Sequence, residues 1–326
     1  MASASPFAKI TEMAEAHPMN TTNRMNALTW SLLLVLGLIW GGSFFFARIA
    51  VHYVPPFTLV FLRLSLAAIA LHVYIAGRFG IYDLLRRHWR QFLLLGLINN
   101  AIPHALIFVG QTQMGAGLAS ILNATTPIWT VLIGNHFTTD ERLTSAKLAG
   151  CLTGLVGTIV LLGPSLTDGA EVPLWALLLP ILAAISYGFA AIYAKRFKGL
   201  APPVIAAGQL TCSATLMLPV ALLLDQPWTM AMPPATALAA ILGMALLSTA
   251  FAYILYFRIM ALAGATNASL VTLLVPPSAI MLGFLFLGER LGLTEIGGML
   301  LIGTGLLILD GRLYARMRSN PGTSNP

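Results

Sequence analysis

The sequence predicts an all-α membrane protein: ten transmembrane helices as two inverted-topology five-helix repeats around a central cavity. Three observations lead there. The 326 residues are 58% hydrophobic and only 9% charged, against roughly 25% charged in a soluble domain. A surface with so few ionic groups cannot cover a water-soluble core of this size, and the mean hydropathy of +0.84 agrees. Second, windows of about 20 mostly apolar residues, the length that crosses a bilayer, follow one another along the chain. Third, motifs of the first half recur in the second at a nearly constant offset.

The windows run over 29–47, 55–76, 91–111, 115–135, 146–163, 173–194, 202–224, 236–257, 265–287 and 294–310. Short connections remain between them, which leaves no room for a soluble catalytic domain. The expected organisation is a tail over 1–28, a first repeat over 29–164 (spans 1–5), a second over 173–311 (spans 6–10) and a tail over 312–326. The first tail mixes Lys9, Glu12, Glu15, His17 and Arg24 and lacks the basic, apolar, small-residue order of a cleaved signal peptide. Met25 offers an alternative start, and the composition of Ser319–Pro326 predicts disorder.

The net charge is +7. In a soluble protein that would point to nucleic acid; here it follows the cytoplasmic loops. With the N-terminus inside, fifteen of the eighteen Lys and Arg residues fall on the cytoplasmic side, Arg48 and Arg290 fall outside, and Arg63 lies within span 2. Such a bias sets orientation under the positive-inside rule, and an even number of spans puts both termini in the cytoplasm. Cys151 and Cys212 sit in apolar runs and read as small buried residues, not as a disulfide or a metal site.

The internal repeat decides the architecture. Trp40-Gly41 before Pro55-Pro56 recurs as Tyr187-Gly188 before Pro202-Pro203. Ala119-Ser120, Pro127 and Gly134 recur as Ala268-Ser269, Pro276 and Gly283. Glu141-Arg142-Leu143 recurs as Glu289-Arg290-Leu291. Five spans is an odd number, so the second copy enters the membrane from the opposite side. Inverted repeats of this kind place a site on a pseudo-two-fold axis in the membrane plane, as many secondary transporters do.

These residues resemble the EamA family of the drug/metabolite transporter superfamily. The likeness is carried by Trp40-Gly41-Gly42-Ser43-Phe44, Pro55-Pro56, Leu62-Arg63, the Ala119-Ser120, Pro127 and Gly134 block, and Glu141-Arg142-Leu143. In the second copy it is carried by Gly264-Ala265, Ala268-Ser269, Pro276-Pro277 and Gly288-Glu289-Arg290-Leu291. It covers spans 1–10. It implies two EamA repeats, both termini inside, and export of small metabolites such as amino acids. The halves differ in two places: Tyr187-Gly188 replaces Trp40-Gly41, and Gln209-Leu210 stands where Leu62-Arg63 does, so Arg63 has no twin.

Polar side chains at membrane depth are costly and mark candidate sites. In span 3, Asn100, His104, Phe108 and Gln111 share one face at helical spacing, flanked by Asn99 and Pro103. Ser120, Asn123 and Pro127 share a face of span 4; Ser269, Thr272 and Pro276 hold the matching places in span 9. Tyr253 falls opposite His104, with Thr249 and Tyr256 near it. Span 1 presents Trp40, Ser43 and Phe44, and span 6 presents Ser186 and Tyr187. This aromatic lining with hydroxyls and amides suits small amphipathic solutes rather than a dehydrated metal ion. The expected substrate-binding set is Trp40, Ser43, Phe44, Asn100, His104, Phe108, Asn123, Tyr187, Tyr253, Tyr256 and Thr272. Arg63, about 12 Å into span 2, is expected to cap carbonyls and lock a gate, with attraction of a substrate carboxylate as the alternative. Pro127 and Pro276 are expected to kink spans 4 and 9 beside the cavity. The glycines of spans 5 and 10 are expected to make scaffold or dimer contacts.

An intramembrane enzyme would need paired acids, a Ser with a His, or a metal cluster in the spans; only His104 is at mid-depth. No Walker A sequence is present. The expectation is therefore a carrier and not an enzyme, with no cofactor and no catalytic residues. It would export amino acids or related metabolites across a bacterial-type inner membrane by alternating access. Exporters of nucleobases or amphipathic drugs, and a channel or receptor, are the alternatives. Expected partners are small-molecule solutes and the lipid bilayer, with no nucleic acid; the chain is expected as a monomer or weak homodimer.

Overall fold

The computed structural model describes residues 25–76, 80–114, 116–139, 143–166, 172–287 and 292–310. Among them every regular element is helical. Asn26 starts α1 (Ala27–Ala50) by accepting the Thr29 N–H at 2.8 Å, the usual cap for an Asn. Prolines start four others. α2 (Pro56–Ile75) and α8 (Pro202–Val220) carry Pro in the first turn, where a missing N–H costs nothing. Pro173 precedes α7 (Leu174–Ala194) and Pro234 precedes α9 (Ala235–Ala263). A distant group also caps α2: Asp225 accepts the Thr58 N–H at 2.6 Å, placing a carboxylate on the positive end of the helix dipole.

α3 runs from Ile81 to Gln111 and starts ten residues before the expected span 3. Three arginines end a hydropathy window, but Arg is a good helix former. The early turns are amphipathic: Arg86, Arg87, Trp89 and Arg90 are exposed, while Phe92 and Leu95 are buried. The chain bends between them at His88, with φ −115° and ψ 20°.

Both α3 and α9 contain a π-turn, at Leu97–Ala101 and Leu246–Phe251. Their starts lie 149 residues apart, the offset of the sequence repeat. In α3, Pro103 has no N–H for the Asn99 carbonyl four residues back, and that carbonyl accepts the Tyr253 hydroxyl at 3.2 Å. In α9 no proline is involved. There the Thr249 hydroxyl donates to the Met244 carbonyl at 2.8 Å.

Spans 4 and 9 are each made of two helices: α4 (Ala116–Asn123) with α5 (Thr126–Phe137), and α10 (Ala265–Ser269) with α11 (Val271–Leu287). Pro127 opens α5 from its first turn, and the Asn123 carbonyl that it leaves free accepts the Thr126 hydroxyl at 2.6 Å. In span 9 the two helices meet several residues before Pro276. Pro276 lies inside α11, and the interruption is at Leu270. The Ser269 and Thr272 hydroxyls each donate to a carbonyl three residues back, at 2.7 and 2.9 Å. Three-residue bonding of this kind tightens the backbone where the helix stops.

α6 (Ser145–Leu166) and α12 (Leu293–Asp310) pack along each other. Glycine lets their backbones meet: a Cβ on Gly305 would lie 2.6 Å from Gly154 N, and one on Gly298 would lie 2.4 Å from Leu161 N. The glycine stripes of spans 5 and 10 thus join these two helices within one chain. The remaining contacts keep their pattern when the halves are exchanged. α1 packs on α11 and α9, while α7 packs on α5 and α3; α2 packs on α8. Among the described residues six helices, α1, α2, α3, α7, α8 and α9, are long and apolar enough to cross a membrane. The loop at Asp168–Glu171, the acids Glu141 and Glu289, and both tails up to Arg24 and beyond Asp310 lie outside the described residues.

Candidate functional site

Helices of both halves line one cavity, whose roughly 740 Å³ of empty space includes the open solvent at its mouth. From the first half α1 contributes Trp40, Ser43, Phe44 and Ala47, and α2 contributes Arg63. α3 contributes Asn99, His104, Ile107, Phe108 and Gln111; Asn123 and Thr126 come from the α4–α5 junction. From the second half come Tyr187 of α7, Tyr253 and Tyr256 of α9, Ser269 of α10, and Val271, Thr272 and Val275 of α11. Among the described residues, α6, α8 and α12 contribute nothing to this lining.

Of the expected substrate-binding residues, all but Asn100 line this cavity. Asn100 is fully buried and its amide has no hydrogen-bond partner. The π-turn explains the difference. A regular helix would put Asn100 above His104, but a π-turn bonds five residues apart and brings Asn99 onto that face instead. The Asn99 amide donates to Gln209 Oε1 at 2.9 Å. Pro103 was the available signal for this shift. Pro127 and Pro276 do not line the cavity; they lie one and four residues beyond lining residues Thr126 and Thr272. Ala47, Ile107, Thr126, Val271 and Val275 were not singled out in sequence. Apolar residues carry no depth-dependent signal in a membrane helix.

Arg63 is 6% exposed and ties the two halves together. Its Nε donates to Thr249 Oγ1 at 2.7 Å and its Nη2 to the Ser248 carbonyl at 3.3 Å. The indole N–H of Trp40 donates to the same carbonyl at 3.2 Å. Ser248 lies in the π-turn of α9, where the register shift leaves a carbonyl over. The guanidinium also stands 5.9 Å from the Phe108 ring centre. An Arg at the bilayer centre costs about 2.5–3.5 kcal/mol on insertion scales, and each hydrogen bond to a charged group returns about 1.5–3 kcal/mol. The two bonds offset the insertion. Neither acceptor carries a charge, so the guanidinium stays uncompensated.

Aromatic rings form the rest of the wall. Trp40 stands 5.6 Å from Tyr256 and meets Tyr253 edge-on at 6.2 Å; His104 stacks on Phe108 at 6.2 Å and meets Tyr187 edge-on at 6.4 Å. Several buried polar atoms of lining residues have no protein partner: His104 Nδ1, Asn123 Oδ1 and both amide atoms of Gln111. Unpartnered buried polar groups are costly unless something else meets them, and in a solute site the solute does so. Among the described residues no three His, Cys, Asp or Glu gather as metal ligands.

The EamA-like transporter family model matches residues 28–163 and again 174–309. The chain is 26% identical to the "Uncharacterized transporter YoaV" of Bacillus subtilis (strain 168), over 85% of this chain and 94% of that one. It is 26% identical to the "Probable terminal-alkyne amino-acid exporter" of Streptantibioticus cattleyicolor, over 92% and 99%. It is 27% identical to the "Probable amino-acid metabolite efflux pump" of Escherichia coli (strain K12), over 85% and 93%. A solved structure titled "Crystal structure of protein" superposes with a TM-score of 0.73 at 20% identity, over 87% of this chain and 98% of that one, which establishes a shared fold. Two family matches covering most of the chain, apolar helices long enough to cross a bilayer and a cavity walled by both matched segments lead to one conclusion: this chain belongs to the EamA-like transporter family, a family of multi-pass membrane transporters and not of enzymes.

Proposed function

We propose that this protein is a secondary transporter that exports small metabolites, amino acids and the carboxylates related to them, across a bacterial inner membrane with both termini in the cytoplasm. One observation carries the reading: a single cavity, polar and aromatic, is walled by helices of both family segments. The two segments are inverted copies of one another, and rocking one against the other exposes the cavity to either side in turn. The paired π-turns in α3 and α9 support this, since they loosen the helix ladder at equivalent places beside the cavity. The names of the amino-acid exporters among the relatives support the substrate class.

The test is counterflow. Proteoliposomes preloaded with an unlabelled amino acid should transiently accumulate the labelled one above equilibrium, and the effect should saturate. Uptake that rises linearly with concentration and never overshoots would indicate a channel and overturn alternating access.

A further inference from the structure

Resting on the transport reading, we propose that the cavity selects its solute by net charge. It takes carboxylates without an ammonium group, such as 2-hydroxy and 2-oxo acids with an apolar side chain, in preference to zwitterionic amino acids, and it rejects amines.

The argument starts from one unbalanced charge. Arg63 is buried in the wall, and no Asp or Glu is among the residues lining the cavity. Thr249 and Ser248 occupy the Nε and Nη2 side of the guanidinium. Nη1 donates to no protein group, and with the second Nη2 hydrogen it leaves a two-pronged edge of the shape a carboxylate accepts in bidentate fashion. Neutral acceptors can satisfy N–H groups but cannot cancel a charge held away from water.

The solute's own charge then sets the ranking. A monoanionic carboxylate makes the occupied cavity neutral. A zwitterion brings an ammonium that finds only neutral acceptors and aromatic faces, so the occupied cavity keeps a net positive charge. An amine adds a second positive charge beside the first. At the α-carbon a hydroxyl or oxo group meets the neutral amides of Asn123 and Gln111 in the lining, which cannot neutralise the charge of an ammonium. Trp40 and Tyr256 supply the apolar face for the side chain.

A matched series tests this on the purified full-length protein: leucine, its 2-hydroxy and 2-oxo acid counterparts, and isopentylamine, which keeps the amine and lacks the carboxylate. Dissociation constants would be measured by calorimetry at neutral pH, with counterflow of each compound run in parallel. The hydroxy and oxo acids should bind at least about tenfold more tightly than leucine, a small part of what an uncompensated buried charge costs, and the amine should not bind. Arg63→Lys should keep the order, and Arg63→Gln should flatten it. Because Arg63 also joins α2 to α9, the order in the unaltered protein decides the matter even if Arg63→Gln fails to fold. Leucine binding as tightly as the two acids, measurable binding of the amine, or no binding by either acid would overturn the proposal. Counterflow of leucine with the reversed order would sink the charge rule and leave the transport reading intact. The predicted order without counterflow of any compound would do the opposite.

Discussion

The Nε of Arg63 in α2 donates to the Thr249 hydroxyl in α9 over 2.7 Å, and that hydroxyl in turn donates to the Met244 carbonyl. One threonine thus closes the π-turn of α9 and anchors the only charged residue of the cavity wall.

Removing that hydroxyl should be felt in stability and in transport. Thr249→Val keeps the shape but leaves the Arg63 Nε without an acceptor, at a cost of about 1.5–3 kcal/mol. Thermal unfolding of the detergent-solubilised protein should show a lowered midpoint, and Thr249→Ser should recover most of it. An unchanged midpoint for Thr249→Val would mean that the bond contributes nothing to the fold.

The tyrosine that bridges the other π-turn offers a milder change. Tyr253→Phe keeps the ring against Trp40 and removes only the bond to the Asn99 carbonyl, a loss of about 0.5–1.5 kcal/mol. Tyr253→Ala also empties part of the cavity wall. Counterflow should fall several-fold for the alanine variant and less for the phenylalanine variant. Equal rates for both would remove the ring from the site.

The α6–α12 contact tests a purely structural role. Gly305→Val places a branched side chain where even a Cβ would lie 2.6 Å from Gly154 N. Overpacking of this kind costs about 1–3 kcal/mol or more. The variant should give markedly less folded protein in fluorescence size-exclusion profiles, whereas Gly303→Ala, with open space around it, should behave as the parent does.

Orientation is checked by thiol labelling. A cysteine placed at Asp168 should react with an impermeant reagent on intact cells, and one placed at Ser319 only after lysis. Labelling of the two positions in the reverse order would invert the topology.

Energy coupling is the last test. With no acid in the cavity wall, exchange or downhill movement of the solute is expected. Proteoliposomes with an imposed pH gradient and no solute gradient should show no uphill accumulation. If accumulation appears and Asn or Gln at His104 abolishes it while counterflow persists, His104 carries the proton.

Composition determined that this chain lives in a bilayer, because 9% charged residues cannot make a water-facing surface of this size, and its successive apolar windows of about 20 residues determined that it is helical. The offset motifs likewise announced two related segments, and polar residues at membrane depth pointed to most of the cavity wall, because each such residue is too costly to be incidental. Tertiary structure alone decided the rest. Asn99 rather than Asn100 meets the cavity because a π-turn shifts the register by one residue. Span 9 is interrupted at Leu270, where the Ser269 and Thr272 hydroxyls each take a carbonyl three residues back. Arg63 finds its partners 185 and 186 residues away in the other half. Local periodicity assumes an unbroken α-helix, and a hydrogen bond between distant segments leaves no mark on the sequence near either partner. Both therefore become visible only once the helices are packed.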